Sequence, residues 1–211
     1  FVPFDIVCDE KPAIEDAIKR ACEVADIVVL NAGSSKGSDD WSCEVMEEMG
    51  EVICHQTNHG PGHHSSYAVV DGTPIVGISG PSGGASFTLD FYLRPLVRAY
   101  LGLDPVVAKV PARLAEDFPK PKHGPGAGKP EKPAGEVRPA EHPDHEPGKP
   151  EFYGIRPLVV RVGADGMLEA HPVDGRPGSA AARSANAYCM VGMGPDVTPP
   201  AAGDVVLVEF K

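Results

Sequence analysis

The order of apolar and polar positions in the first half of the chain predicts alternating strands and helices. Residues 27–30 are four consecutive apolar residues flanked by polar ones, as expected for a strand buried on both faces of a parallel sheet. Asp71-Gly72 joins two β-prone runs and predicts a hairpin. Apolar residues that recur at i, i+3 and i+4 predict helices. The predicted helices cover 12–24, 41–49 and 85–101, and the other predicted strands cover 4–8, 52–55, 66–70 and 73–79.

The second half of the chain shows only strand patterns, separated by turn signals. These predicted strands cover 106–114, 152–162, 167–173, 188–191 and 205–210. Residues 118–150 between the first two are dominated by Pro, Gly, Lys, Glu and His, and Val137 is their only branched aliphatic residue. Such a stretch buries too little apolar surface to offset the entropy of ordering it, so we predict a disordered or extended insertion there.

These patterns predict an α/β fold class with a second, all-β domain. The first domain, residues 1–102, is expected to be a three-layer sheet with helices on both faces. The second domain, residues 103–211, is expected to be a small barrel or sandwich. Sheets of the first type normally begin with a further strand and its crossover helix. We therefore expect that an N-terminal strand and helix of the whole protein are missing from this sequence.

The charge distribution excludes some classes of partner. The formal net charge is −11, of which −9 falls on residues 1–102 and −2 on residues 103–211. Such an acidic surface argues against nucleic acid or an anionic membrane as the main partner, and no apolar run approaches the ~20 residues of a membrane span. The start of the chain lacks the basic region and long apolar core of a signal peptide. Five scattered cysteines without a Cys-x-x-Cys pair favour a reducing, cytoplasmic location.

Two loops of small residues, 31–38 and 79–84, follow predicted strands and precede predicted helices. A strand, a small-residue loop and a helix start together present backbone N–H groups and a favourable dipole to an anion. The alternative is a turn that is rich in small residues and binds nothing, since turns favour these residues anyway. We predict that both loops line one anion-binding pocket beyond the strand ends.

Four side chains in or beside these loops have both a functional and a structural interpretation. Asp40 is a candidate ligand for Mg²⁺ at a pyrophosphate, or a helix N-cap. Lys36 is a candidate partner for a phosphate, or a solvated loop lysine. Ser79 and Ser82 are candidate donors to an anion, or caps of the following helix.

A group of histidines lies between the two loops in sequence. The spacing of His55, His59 and His63 suggests a metal site, but Gly60-Pro61-Gly62 interrupts any helix there and no cysteine or carboxylate is near enough to complete a zinc site. We favour a different role for His63 and His64, as pH-dependent cations that face a phosphate.

Three stretches of the chain resemble the molybdopterin molybdenumtransferase family. The first is Asn31-Ala32-Gly33-Ser34-Ser35-Lys36-Gly37-Ser38-Asp39-Asp40, which resembles the family's Ser-Gly-Gly-x-Ser-x-Gly-x-x-Asp loop. The second is Gly72-Thr73-Pro74-Ile75-Val76-Gly77-Ile78-Ser79-Gly80-Pro81-Ser82, and the third is Phe91-Tyr92-Leu93-Arg94-Pro95-Leu96. The second half resembles the family's C-terminal β-domain, through 177–179, 184–187 and 202–206.

The resemblance implies a role in molybdenum cofactor biosynthesis, in which the enzyme binds adenylylated molybdopterin and supports molybdate insertion with Mg²⁺. It implies that the full-length protein is a homodimer and a transferase, with Asp40 and Lys36 as catalytic residues and Asp40 as the metal ligand. The candidate molybdopterin-binding residues combine those that the resemblance implies with the two histidines assigned above. They are Gly33, Ser34, Ser35, Gly37, Ser38, His63, His64, Ser79, Gly80 and Ser82.

The chain departs from the family pattern at the loop that carries the histidines. Where the family has Lys-Pro-Gly-Lys-Pro, this chain has Gly60-Pro61-Gly62-His63-His64 and so lacks two lysines near the molybdate and phosphate groups. Asn31-Ala32 replaces the first Ser-Gly, and the prolines of the family's Leu-Pro-Gly-Asn-Pro loop are displaced. These departures favour an alternative function, that of a non-catalytic molybdopterin-binding carrier or sensor with a degenerate site.

Overall fold

The computed structural model describes residues 1–31, 41–78, 80, 82–119, 150–175, 179–194 and 196–211. The chain forms two compact units, Phe1–Ala108 and Lys109–Lys211. The predicted insertion 118–150 lies almost entirely outside the described residues. No helix in the described parts of the chain is long and apolar enough to cross a membrane.

The first unit alternates helices and strands, as the sequence pattern predicts. Helix α1 lies close to its predicted range of 12–24. Its residues Ile14, Ile18 and Ala21 form the one buried face that the periodicity predicts. The elements are α1 (Lys11–Cys22), β1 (Val28–Asn31), α2 (Trp41–Met49), β2 (Glu51–His55), β3 (His59–Gly60), β4 (Ser66–Val70), β5 (Thr73–Ile78), α3 (Ser82–Thr88), a π-helical turn (Leu89–Leu93) and α4 (Arg94–Tyr100).

Four of these strands form a mixed sheet in the order β1-β5-β4-β2. Strand β1 pairs parallel with β5, whereas β4 is antiparallel to both β5 and β2. The hairpin predicted at Asp71-Gly72 is confirmed, with Asp71 at φ 49° and Gly72 at φ 79°. Two expectations are wrong. Strand β1 is not buried on both faces, because Val29 is 40% exposed. It is also an outer strand of the described sheet, paired only with β5. Residues 4–8 form no strand, and Ile6 is fully exposed.

Helices cover both faces of this sheet and give it three layers. Helices α1 and α2 pack on one face, which we call the apolar face, over a core of nine buried residues. Helix α3 and the π-helical turn pack against β5 on the other face, which we call the polar face. The predicted three-layer arrangement is therefore confirmed. The apolar core consists of Ile14, Ile18, Ala21, Val28, Val45, Met46, Ala68, Val70 and Ile75.

The helix predicted over 85–101 begins three residues earlier and widens in the middle. Residues Leu89–Leu93 form a π-helical turn, in which the Arg94 N–H bonds to the Leu89 carbonyl oxygen. The wide turn directly precedes Pro95, which has no N–H to donate to the preceding turn. Val97 and Leu101, near the end of the predicted helix, are 37% and 65% exposed.

The second unit is a closed β-barrel, so the predicted barrel or sandwich is resolved in favour of the barrel. Its strands run in the order β7-β8-β6-β10-β9, and β7 also pairs with β9, which closes the sheet. Leu158, Ala170, Ala187 and Val208 are completely buried at its centre. The elements are β6 (Val110–Leu114), β7 (Phe152–Val162), β8 (Leu168–Pro172), α5 (Ala180–Ser184), β9 (Ala187–Met193) and β10 (Val205–Phe210).

Polar side chains complete the hydrogen bonding of the barrel where strand pairing ends. The Asn186 side-chain amide donates to the Val160 carbonyl oxygen at 3.0 Å, and its oxygen accepts from the Val160 N–H at 2.8 Å. Ser179 caps α5 by accepting from the Ala182 N–H at 3.1 Å. The sequence around Ser184-Ala185-Asn186, part of the family resemblance, thus has a structural role here.

Candidate functional site

Three connecting segments leave the α/β sheet at the same edge. Asn31 is opposite Ile78 in the parallel β1–β5 pair, so the segments after these two residues begin side by side. Ser66 is opposite Gly77 in β5 and opposite His55 in β2, which brings the loop 56–65 to the same edge. The strand register therefore places Asn31, His55 and Ile78, the last residues before the three segments, at one end of the sheet.

The predicted site residues divide into those that the structure describes and those that it does not. Gly80 and Ser82 are exposed, and a Cβ added at Gly80 would meet no atom within 4 Å. The backbone there is therefore open to a ligand. The predicted residues Gly33, Ser34, Ser35, Lys36, Gly37, Ser38, Asp40 and Ser79 lie outside the described residues.

The loop 56–65 is closed by its own hydrogen bonds. The Gln56 N–H donates to the Ser65 carbonyl oxygen at 3.0 Å, and the Thr57 N–H donates to the His63 carbonyl oxygen at 2.9 Å. The Ser65 hydroxyl donates to the Gly62 carbonyl oxygen at 2.7 Å and lies 2.6 Å from the hydroxyl of Thr88. Because Ser65 and Thr88 are both completely buried, these bonds fix the loop against the helix that follows β5.

Gly62 joins this loop to α3 by close backbone packing. A Cβ at Gly62 would lie 3.1 Å from the Gly84 carbonyl oxygen and 3.4 Å from His59 Cε1. Its φ of 104° also disfavours any residue with a side chain. The glycine therefore allows the loop with the two histidines to lie beside the start of α3.

His63 and His64 lie next to each other on this loop and are partly exposed. Their ring centroids are 3.6 Å apart, at an interplanar angle of 45°. Two adjacent imidazoles at an accessible edge are suitable donors to an anion, and they carry positive charge only when protonated.

His59, in the same loop, forms a buried pair with Tyr92 that the sequence did not predict. His59 is only 3% exposed, and its Nε2 atom lies 2.7 Å from the Tyr92 hydroxyl. Burial lowers the pKa of His59 and raises the pKa of Tyr92, so both side chains are neutral near pH 7. From the sequence, His59 was a candidate only for metal binding. The sequence shows only a histidine in a loop and a tyrosine in a distant helix, and nothing in it pairs the two.

The described residues give no support to a metal site built from the histidines. No group of three or more His, Cys, Asp or Glu side chains that could hold a metal ion occurs among them. The His59 ring instead packs against Phe91 and Tyr92, with both centroid distances at 5.6 Å.

Comparison with known proteins shows which family of domains the first unit is similar to. Residues 2–99 match the family described as a probable molybdopterin binding domain. The first unit is therefore similar, over nearly its whole length, to that family of domains. It is 30% identical over 105 residues to a molybdopterin molybdenumtransferase of Staphylococcus aureus, an alignment that covers 49% of this chain and 25% of that enzyme.

Solved structures confirm the fold across both units. The molybdopterin biosynthesis MoeA protein of Pyrococcus horikoshii aligns with a TM-score of 0.62 at 21% identity, over 96% of this chain and 41% of the other. A molybdenum cofactor biosynthesis protein of Pyrococcus furiosus aligns with a TM-score of 0.63 at 17% identity, over 100% and 58%. The chain thus spans between a quarter and three fifths of the length of these relatives.

Proposed function

We propose that the first unit binds adenylylated molybdopterin at the sheet edge and supports molybdate insertion, as a molybdopterin molybdenumtransferase. The observation that carries this proposal is the strand register. It brings Asn31, the loop 56–65 and Ile78 to one end of the sheet, in the unit that matches the probable molybdopterin binding domain. Ligands of open α/β sheets bind beyond such strand ends.

The phosphates of the proposed ligand suit the hydrogen-bond donors at this end of the sheet. Its phosphates would accept hydrogen bonds from backbone N–H groups at the open Gly80 and from the imidazoles of His63 and His64. In this proposal Lys36 pairs with a phosphate, and Gly33, Ser34, Ser35, Gly37, Ser38, Ser79 and Ser82 supply further loop donors.

Magnesium is part of the proposal, but the described residues do not by themselves form a site for it. Asp40, outside the described residues, is the proposed protein ligand, and phosphate oxygens of the substrate would supply others. This division suits Mg²⁺, which usually keeps several waters and binds one or two carboxylates together with phosphates. Bound there, the ion would polarise the pyrophosphate.

The second candidate function is a non-catalytic carrier or sensor of molybdopterin. The sequence Gly60-Pro61-Gly62-His63-His64 favours it, because a glycine and an imidazole stand where the family has its two lysines. An imidazole carries a positive charge for the anion only in its protonated form. In either case we propose a cytoplasmic protein whose full-length form is a homodimer.

Titration of the chain with adenylylated molybdopterin distinguishes these functions. Ligand at about 100 times its Kd should add about 2.7 kcal/mol to the free energy of unfolding, seen as a rise in Tm. Adenosine monophosphate serves as the control for binding of the nucleotide alone. Formation of active cofactor on addition of molybdate and Mg²⁺ supports the transferase, and binding without product supports the carrier. An unchanged Tm at saturating ligand would overturn both.

A further inference from the structure

Tyr92 connects three parts of the polar face. Its hydroxyl lies 2.7 Å from His59 Nε2 in the loop 56–65. Its ring is stacked on that of His59 at an interplanar angle of 16°, and its centroid lies 4.5 Å from that of Tyr67 in β4. One side chain of the helical layer therefore contacts both the sheet and the loop that carries His63 and His64.

The π-helical turn brings two consecutive aromatic residues to the same histidine. Successive side chains of a regular α-helix point about 100° apart, so neighbours rarely contact one target. Here Tyr92 stacks on the His59 ring while Phe91 meets it edge-on, at 79°. The wider turn from Leu89 to Leu93 contains both residues, and such turns are frequent at functional sites.

His59 is coupled to the exposed histidines through the backbone of the loop. A Cβ at Gly62 would lie 3.4 Å from His59 Cε1, so the two residues are packed almost in contact. Gly62 precedes His63 directly, and the His63 carbonyl oxygen accepts from the Thr57 N–H. Displacement of the His59 ring would therefore displace Gly62 and the segment that orients the two imidazoles.

We infer that Tyr92, acting through His59, is a positioning residue that holds His63 and His64 in place for a phosphate-bearing ligand. The inference rests on the proposed function for its effect on affinity, but its effect on the loop is measurable without any ligand. Because both members of the pair are neutral, the hydrogen bond places no charge in the buried cluster. The bond orients the loop and does not attract the anion.

The test is a Tyr92→Phe variant of the whole chain, which removes the hydroxyl and keeps the ring. Its matched control is Tyr100→Phe, since Tyr100 is 60% exposed and its hydroxyl bonds to Asp26 instead. Amide hydrogen exchange at Gln56, Thr57 and Ser65 reports the order of the loop, and calorimetry with inorganic pyrophosphate reports anion affinity. Exchange in α2 shows whether the fold is intact.

Tyr92→Phe should accelerate exchange of the three loop amides and weaken pyrophosphate binding by about three- to tenfold, the effect of one lost hydrogen bond. Exchange in α2 should be unchanged, and Tyr100→Phe should change neither measurement. His59→Ala should have a similar effect, and the double variant should be no worse than either single one, because the two residues act as a unit.

The outcomes separate this inference from the proposed function. Unchanged loop exchange in Tyr92→Phe overturns the positioning role, whatever the anion affinity. Additive effects in the double variant overturn the route through His59. If the unaltered chain binds neither pyrophosphate nor adenylylated molybdopterin, the proposed function fails, while the exchange data still test the role of Tyr92.

Discussion

The two faces of the α/β sheet differ in the chemistry that holds their helices. On the apolar face, α1 and α2 cover nine buried residues that are all hydrophobic. On the polar face, the buried groups include His59, Ser65 and Thr88, with Tyr67 and Tyr92 partly buried beside them. Of the segments at the candidate site, the loop 56–65 packs against the polar face through the Ser65–Thr88 contact.

The two faces therefore have different roles: the apolar face stabilises the unit, and the polar face positions a loop. Hydrophobic burial is strong but has no direction, so the apolar face stabilises the unit without fixing any one loop geometry. Hydrogen bonds contribute less net free energy, but they are directional and costly to leave unmade in a buried place. The polar face is therefore suited to hold the loop 56–65 in one arrangement.

The largest expected effect is loss of stability on the apolar face. Met46→Ala empties a completely buried position and should lower the free energy of unfolding by about 2–5 kcal/mol, measured by urea denaturation. Ile53→Ala, at a position 65% exposed, is the control and should stay within about 0.5 kcal/mol. A loss below about 1 kcal/mol for Met46→Ala would contradict the assignment of stability to this face.

Loss of one hydroxyl on the polar face should have a smaller but more specific effect. Ser65→Ala removes two buried hydrogen bonds, to Gly62 and Thr88, while Thr88 keeps its bond to the Gly84 carbonyl oxygen. At about 0.5–1.5 kcal/mol for each lost bond, the cost should be about 1–3 kcal/mol. Amide exchange in the loop should rise at the same time. Ser86→Ala removes an exposed hydroxyl from α3, the helix that carries Thr88, and should change neither the stability nor the loop exchange. Equal behaviour of the two variants would show that the loop is held in another way.

A pair of glycine variants separates backbone strain from contact with α3. Gly62→Ala and Gly72→Ala both place a side chain at positive φ, and each should cost about 1 kcal/mol or more. Only Gly62→Ala also meets the Gly84 carbonyl oxygen, since Gly72 has no atom within 4 Å of the added Cβ. Binding of pyrophosphate should therefore weaken in Gly62→Ala alone. Equal weakening of pyrophosphate binding in both variants would show that the contact between the loop and α3 does not affect binding.

The smallest expected effect is on the pH dependence of stability. Burial lowers the pKa of His59, and neighbouring His63 lowers it further. The unfolded chain then binds a proton at about pH 6.5 that the folded chain does not, so stability should fall as pH drops through that range. His59→Gln should flatten the profile measured by urea denaturation between pH 7 and 5. A profile of unchanged slope would show that His59 is not protected from protonation.

The sequence predicted those elements whose patterns are strong and local. The Asp71-Gly72 hairpin, the helix face formed by Ile14, Ile18 and Ala21, and the all-β character of the second half follow from turn chemistry and periodicity. Strand β1 was misjudged because an apolar run does not reveal whether a strand is central or at an edge. Residues 4–8 were misjudged because β-prone residues form a strand only where a partner strand is available.

The candidate site was predictable only in part. The small-residue loops and the His63-His64 pair stand out in the sequence, and the shared sheet edge follows from their place after strands. The contact of His59 with Tyr92 joins residues 33 positions apart and depends on the helical turn around Phe91. No local pattern records such a contact, and the widening of the helix before Pro95 could be predicted only as a kink.

The most direct test of the central claim is a hydrogen-exchange footprint of adenylylated molybdopterin on the whole chain. If the sheet edge is the binding site, protection should appear in the segment after Asn31, in the loop 56–65 and in the segment from Gly80 to Gly84. The apolar-face helices α1 and α2 should be protected only as far as overall stability rises. Protection confined to the barrel or to α1 and α2, or no protection at saturating ligand, would contradict the account.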